Sequence, residues 1–278
     1  MKVAVTAASG NLGRAIVNSL IPEIGVEKLI GFARTVEKAN DLGIEVSKGD
    51  YNSKNDFLSA LNGVDVLLLV SGMDHPDKRI QQHRNIIEAA KEAGVRKIVY
   101  TSIVGKPGDS LFDAIVNSNR QTEQDIQSSG IEWSIGRNGL YIEPDLEYID
   151  NYKKAGSISN CAGSGLCSYV SRDELANAYA NMIRNDSCNS RIFNLCGDAI
   201  SQEQLAAYLN LYFKTELAFR DMPVDSYLNF QEETNGPFLG PIIAGIYTKI
   251  RNGEFNVESH YEEACGRKHI GWDEYFSV

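Results

Sequence analysis

Nine residues near the start of the chain, Val5-Thr6-Ala7-Ala8-Ser9-Gly10-Asn11-Leu12-Gly13, join a strand-like segment to a helix-like one. Their types suit the cradling of a diphosphate. Gly10 lets backbone approach the anion, Gly13 lets the helix lie close on the strand, and the small Ala7, Ala8 and Ser9 keep the turn tight. Amide N–H groups at the opening of a helix point at such an anion. About twenty residues past Gly13, a domain that prefers NAD places an acidic residue on the ribose diol. This chain has Gly31-Phe32-Ala33-Arg34-Thr35 there, with Lys38 one turn later. A guanidinium pairs in two places with a 2′-phosphate that a carboxylate would repel, so NADP(H) is favoured over NAD(H).

The elements that must position these residues alternate regularly. Strands are expected over 2–6, 28–33, 44–47, 64–70, 96–102 and 131–136. Helices are expected over 11–20, near 36–42, from Ser53 to about 62, from Pro76 to Gly94 and over 121–129. Ser53 with Asp56 three residues on resembles a capping box, and Gly94 suits a left-handed stop. Strands alternating with helices through short loops imply right-handed crossovers and a parallel sheet covered on both faces. The fold class is therefore α/β, a doubly wound, Rossmann-type parallel sheet, with a second, smaller C-terminal lobe. Residues 141–167 read as a loop, 174–184 as a helix and 191–195 as a strand. Residues 201–211 read as a capped helix, and residues 219 to the end as several short helical stretches. We expect a cofactor-binding domain over 1–138, with the chain returning near 171–198, and a substrate lobe over 139–278.

Composition narrows the function. The 278 residues carry 27 Lys and Arg against 37 Asp and Glu, a net charge of −10, so the general attraction to phosphate that nucleic-acid binders need is absent. The longest aliphatic run, Val66–Val70, falls far short of the roughly 20 residues that span a bilayer. No secretory signal is expected. Five cysteines without a CxxC pair read as reduced thiols in a cytoplasmic protein, and four histidines lack metal-ligand spacing. Neither a metal nor a flavin is expected.

From Thr6 to Gly13 the loop resembles the TGATGxLG fingerprint of NmrA-like atypical short-chain dehydrogenases, and the chain is most similar to their type 2 NAD(P)H:quinone oxidoreductase branch. The likeness extends through Gly49-Asp50-Tyr51, Leu67-Leu68-Leu69-Val70-Ser71, Gln82-His83-Arg84-Asn85, Tyr100-Thr101-Ser102 and Arg137-Asn138-Gly139-Leu140-Tyr141, in family order over roughly the first 200 residues. The resemblance implies the Asn11 and Leu12 backbone on the pyrophosphate, Arg34 on the 2′-phosphate, and Asp50 and Tyr51 near the adenine. It places Ser71, Gly72 and Met73 beside the ribose, and Thr101 and Ser102 near the nicotinamide. Asn138 to Tyr141 would then lie at the acceptor pocket. One departure is Ala7, where the family usually has Gly. A positive φ there would cost Ala on the order of 1 kcal/mol.

No Tyr-x-x-x-Lys occurs anywhere in the chain, and Gln124 stands where the quinone-reductase branch often has Lys. Ordinary ketone reduction by a Tyr–Lys pair is therefore disfavoured, and no catalytic acid is assigned. A quinone asks for less, because aromatisation drives its reduction and water can supply the proton. What remains is positioning, with Asn138 as polar anchor, Tyr141 as stacking wall, Val104 as apolar edge and Gly139 between them. His83 shares the stripe Ile80, His83, Ile87, Ala90 that faces the sheet, which reads as a hydrogen-bonded core histidine. Two functions stay open at this point. One is an NADPH-dependent reductase of quinones or related aromatics, with homo-oligomer formation compatible. The other is a non-catalytic NADP(H) sensor that binds a protein partner.

Overall fold

The computed structural model describes residues 1–277. Through the first half, strands and helices alternate: β1 (Val3–Val5), α1 (Asn11–Ile24), β2 (Leu29–Ala33), β3 (Glu45–Lys48), α2 (Lys54–Leu58), β4 (Val66–Val70), α3 (Pro76–Glu92), β5 (Lys97–Ile103), α4 (Leu111–Gln127) and β6 (Glu132–Asn138). The rest is more finely divided. It runs β7 (Leu140–Tyr141), α5 (Glu143–Glu147), α6 (Ile149–Ala155), β8 (Ser157–Asn160), β9 (Leu166–Cys167), β10 (Tyr169–Val170), α7 (Arg172–Arg184) and β11 (Arg191–Leu195). Then come β12 (Ile200–Ser201), α8 (Gln202–Phe213), β13 (Ala218–Asp221), α9 (Val224–Arg251), α10 (Tyr261–Cys265) and α11 (Trp272–Tyr275).

Seven strands form one parallel sheet in the order β3-β2-β1-β4-β5-β6-β11. Val3 of β1 pairs with Leu29 on one side and Val66 on the other, so the chain reverses direction across the sheet between β1 and β4. A crevice opens at the carboxyl ends of the strands at such a point. Strands β1, β2 and β4 are wholly buried and made of aliphatic, glycine and phenylalanine residues, as a sheet covered on both faces requires.

Helix α1 presents Leu12, Ile16, Val17 and Leu20 to the sheet at helical spacing, and it lies against α7. On the opposite face α3 lies between α2 and α4. Ser53 caps α2 by accepting the amide of Asp56. Ser110 and Asp113 form a full capping box for α4, so this helix begins ten residues before the expected start of 121.

Residues 141–167 are not the loop that their glycine, serine and asparagine content suggests. They hold two short helices and three short strands, whose partners are distant: β7 pairs with β10, β8 with β13 and β9 with β12. Elements this short carry no periodicity of their own. After 219 the expected helical stretches are fewer and longer than read: 28 residues form α9, two helical arms that meet at Gly236 (φ 79°, ψ 173°) just before Pro237, and the short α10 and α11 follow. The second apolar core lies here, with Phe112, Ile142, Tyr169, Ile250, Phe255 and Trp272 among its members.

Candidate functional site

Backbone bonds pin the loop after β1 from both sides. The Thr6 amide donates to Leu68 O at 3.0 Å and the Ala8 amide to Phe32 O at 2.9 Å, fixing it between β4 and β2. Ala7 has φ +49°, the left-handed conformation expected of glycine there. Gly10 donates to Ala7 O and accepts from Arg14 N, each at 2.9 Å. The amides of Asn11, Leu12 and Gly13 are thus the opening donors of α1 with no carbonyl of their own helix to receive them. No acidic residue lies in that first turn, and Gly10 and Asn11 are exposed. A Cβ on Gly13 would meet Ala7 O at 2.3 Å, so glycine is a steric requirement.

Cations gather at the tip of β2. Arg34 and Lys38 are exposed, and neither side chain makes a hydrogen bond or ion pair among the described residues. Neighbouring Arg14 is taken, with Nη1 on Asp41 at 2.6 Å and Nη2 on the Lys38 carbonyl at 2.7 Å. Across the crevice, Asp74 is held below the usual carboxylate range. The His75 amide contributes most, followed by Gln82, with the charges of Lys78 and Arg34 adding to it.

Thr6 and Tyr51 lock the walls together. Tyr51 OH donates to Val70 O at 2.7 Å and bonds Thr6 Oγ1 at 2.6 Å, while Thr6 Oγ1 accepts the Val70 amide at 2.9 Å. Asp50 folds onto its own turn, accepting from Asn52 N at 2.9 Å. His83 is buried, as the helical spacing predicts. Its Nε2 accepts the Gly72 amide at 3.0 Å, which puts the ring proton on Nδ1, 2.8 Å from Thr122 Oγ1. Burial, aided by the Arg79 charge, pushes its pKa down to about 3, so it is a neutral anchor for the β4 loop.

Past β4, the Ser71 amide donates to Thr101 Oγ1 at 2.9 Å, bringing the ends of β4 and β5 together. Met73 follows on the same loop with 99% of its surface exposed. Ser102 Oγ donates to Glu123 Oε1 at 2.6 Å, and Glu123 also receives Arg120 at 2.7 Å and both arms of Arg137 at 2.9 and 2.6 Å. Of the residues expected at the acceptor pocket, Val104, Asn138 and Gly139 are buried and Tyr141 is half-buried. Asn138 Oδ1 accepts Tyr179 OH at 2.5 Å, and Asn138 Nδ2 reaches Tyr141 OH at 3.2 Å. A Cβ on Gly139 would lie 2.3 Å from Ser168 O, and Val104 is 1% exposed in the second core.

Sequence reading missed one cluster. Arg79 on α3 is buried, with Nη2 2.5 Å from Ser71 Oγ and 3.3 Å from Asn119 Oδ1 on α4. Tyr100 OH donates to the same Asn119 oxygen at 2.6 Å. The available signal was that Arg79 sits four residues before His83 and seven before Ile86, on the buried face of α3.

The reversed sheet and the glycine-turned opening of α1 define a dinucleotide-binding doubly wound protein. Among the described residues no group of His, Cys, Asp or Glu could hold a metal, and no helix is long and apolar enough to cross a membrane. A family model described as NAD(P)H-binding matches residues 7–186. Quinone oxidoreductase 2 of Escherichia coli (strain K12) is 32% identical over 224 residues, covering 79% of this chain and 77% of its own. The crystal structure of an NADPH-dependent quinone oxidoreductase from Escherichia coli, complexed with NADPH, matches with a TM-score of 0.89 at 28% identity, covering 99% of this chain and 98% of that one. Triphenylmethane reductase from Citrobacter sp., complexed with NADP(H), gives 0.87 at 28% identity over the same shares. The chain belongs to the NAD(P)H-binding, NmrA-like family.

Proposed function

We propose that this protein is an NADPH-dependent reductase that delivers hydride to a quinone or a similar redox-active aromatic. The observation that carries it is the pairing of the donor amides at the start of α1 with the uncommitted Arg34 side chain at the tip of β2. The quinone oxidoreductase and triphenylmethane reductase among its relatives supply the acceptor class. NADPH, when bound, supplies the hydride, and no flavin or metal enters the scheme.

The chain's own part is binding and orientation. Backbone of Gly10, Asn11, Leu12 and Gly13, with Ser9 and Ala8 behind it, would hold the diphosphate. Arg34 and Lys38 would take the 2′-phosphate, and Asp50 and Tyr51 would flank the adenine. Ser71, Gly72 and Met73 would border the ribose, with Thr101 and Ser102 at the nicotinamide. Thr6 serves this set by locking the loop to β4. Residues 1–138 with the return through 171–198 would form the cofactor domain. The acceptor would enter from the lobe over 139–278, beside Val104, Asn138, Gly139 and Tyr141. Because Val104, Asn138 and Gly139 are buried and Tyr141 is half-buried, acceptor binding there would require Asn138 or Tyr141 to exchange its partner. Five unpaired thiols, four of them buried, fit a reducing compartment, and we place the protein in the cytoplasm.

Two measurements test this. NADPH oxidation followed at 1,4-benzoquinone concentrations from micromolar to millimolar should exceed the protein-free rate. A rate equal to the blank, with cofactor still bound, would leave a cofactor sensor rather than a reductase. Arg34→Ala should weaken NADPH binding by about tenfold while leaving NADH within about twofold, the loss of one partly exposed charge-assisted pair. Equal losses for both cofactors would remove Arg34 from the 2′-phosphate.

A further inference from the structure

Arg79 is 5% exposed, yet no carboxylate lies within ion-pairing distance of it among the described residues. Among the described residues its Nε has no partner, and its hydrogen-bond partners, Ser71 Oγ and Asn119 Oδ1, are neutral. A guanidinium keeps its proton in proteins, so this is an uncompensated buried charge. Such a charge persists where function uses its field.

Its place says which function. Ser71 follows β4 directly, and its amide donates to Thr101 Oγ1 near the end of β5. In a doubly wound sheet the adenosine lies over the half built from β1 to β3, and the nicotinamide over the half that starts at β4. Arg120 on α4 and Arg137 on β6 share the single carboxylate of Glu123, and Arg120 also reaches Ser102 near the end of β5. With Arg79, these three arginines face one carboxylate.

We propose that Arg79 is a buried countercharge that makes the site discriminate the redox state of its cofactor, favouring the reduced form and expelling the oxidised one. The inference rests on the reductase reading above and deepens it. In the reaction a quinone takes up two electrons and one proton as hydride, forming a hydroquinone monoanion. The nicotinamide correspondingly changes from neutral to positive, and a proton from water completes the hydroquinone. A fixed cation at this end of the sheet would oppose the positive charge the cofactor gains and attract the negative charge the acceptor gains. Both effects pull hydride transfer forward and loosen the spent cofactor. Asn119, which shares its oxygen between Arg79, Ser71 and Tyr100, holds the guanidinium in place without neutralising it.

The readout is the ratio of dissociation constants for NADP+ and NADPH, measured by titration in the absence of acceptor, so turnover does not enter. Asn119→Asp places a carboxylate of nearly the same shape against Arg79, and Arg79→Gln removes the charge. Each should shrink the wild-type ratio by about tenfold, whereas Arg79→Lys, which keeps the charge, should hold it within about threefold. Circular dichroism selects the variants that fold. An unchanged ratio in a folded Asn119→Asp or Arg79→Gln protein that still binds both cofactor forms overturns the proposal. A wild-type protein that binds neither form overturns the cofactor reading itself, which is a separate result.

Discussion

Ala7 and His83 show how single residues set the loop that matters. Ala7 is one of three non-glycine residues with positive φ among those described, and it accepts the amide of Gly10 that closes the turn. A left-handed alanine costs about 1–2 kcal/mol, of which glycine's greater freedom in the unfolded chain returns about half. Ala7→Gly should therefore raise stability by about 0.5–1 kcal/mol, visible as a higher urea midpoint at unchanged slope. A lower midpoint would mean that the loop relaxes without the methyl. His83 makes a prediction with a sign. Its folded value of about 3 lies below the 6.5 of an exposed histidine, so below pH 6.5 the unfolded chain binds more protons. Its contribution is complete above pH 6.5 and is lost as pH falls towards 3. His83→Gln keeps a donor and an acceptor but cannot titrate. The wild type's advantage over it should shrink by about 1.4 kcal/mol per pH unit between pH 6 and 4. Parallel stability curves from urea melts at pH 7, 6, 5 and 4 would refute this. Both residues were legible from sequence, because a small-residue loop and a histidine on an apolar stripe are local patterns. Arg79, Asn119 and Tyr100 were not legible as a group, since forty residues separate the first two and only the side-by-side packing of α3 and α4 brings them together.

At the scale of elements, legibility follows pattern. Strands β1 to β6 and helices α1, α3 and α7 stood out because short apolar runs alternate there with stretches of helical period. The pieces between β7 and β10 did not, because glycine, serine and asparagine interrupt them, and the pairing of β8 with β13 and of β9 with β12 is decided far along the chain. Helix α9 was hidden for another reason. Pro237 and Pro241 read as breaks, yet the only non-helical backbone inside it is at Gly236, and Pro237 merely opens the second arm. Beyond that bend, the ring of Phe238 stacks on His75, the cap of α3, at 5.2 Å between centroids. The element most exposed to a one-atom change is α1. Gly13→Ala puts a methyl 2.3 Å from a backbone oxygen, so helix and loop must part by more than an ångström. We expect about 2 kcal/mol lost in unfolding free energy and at least a tenfold loss of NADPH affinity by calorimetric titration, because overpacking here moves the donor amides themselves. Near-normal affinity would show that the diphosphate is held elsewhere.

The molecule closes on itself through one buried carboxylate. Glu174, in the first turn of α7, receives both terminal nitrogens of Arg267 at 2.9 and 2.5 Å and the Ile270 amide at 3.1 Å. Its backbone carbonyl also accepts Tyr261 OH at 3.0 Å. These contacts fasten the last stretch of chain, beyond α10, to the helix that lies against α1, so the far end of the sequence braces the cofactor-binding turn. Burial alone would raise the Glu174 carboxyl, but the Arg267 guanidinium and the Ile270 amide outweigh it and hold the value below normal. A lowered carboxylate contributes stability that is present above its unfolded value near 4.5 and is lost as pH falls through the folded one. Arg267→Ala strands a charge that is 7% exposed, whereas the arginine itself is 46% exposed, so water softens the loss. The cost should be about 2 kcal/mol, less than the roughly 3–5 kcal/mol of breaking a fully buried pair, and about 4–8 °C in melting temperature. Below pH 4 the variant's carboxyl takes a proton and the gap should close. Calorimetric melts of both proteins at pH 7 and pH 3.5 decide the matter, and a gap of equal size at both would mean that Arg267 acts through its stem on Tyr261 rather than through its charge.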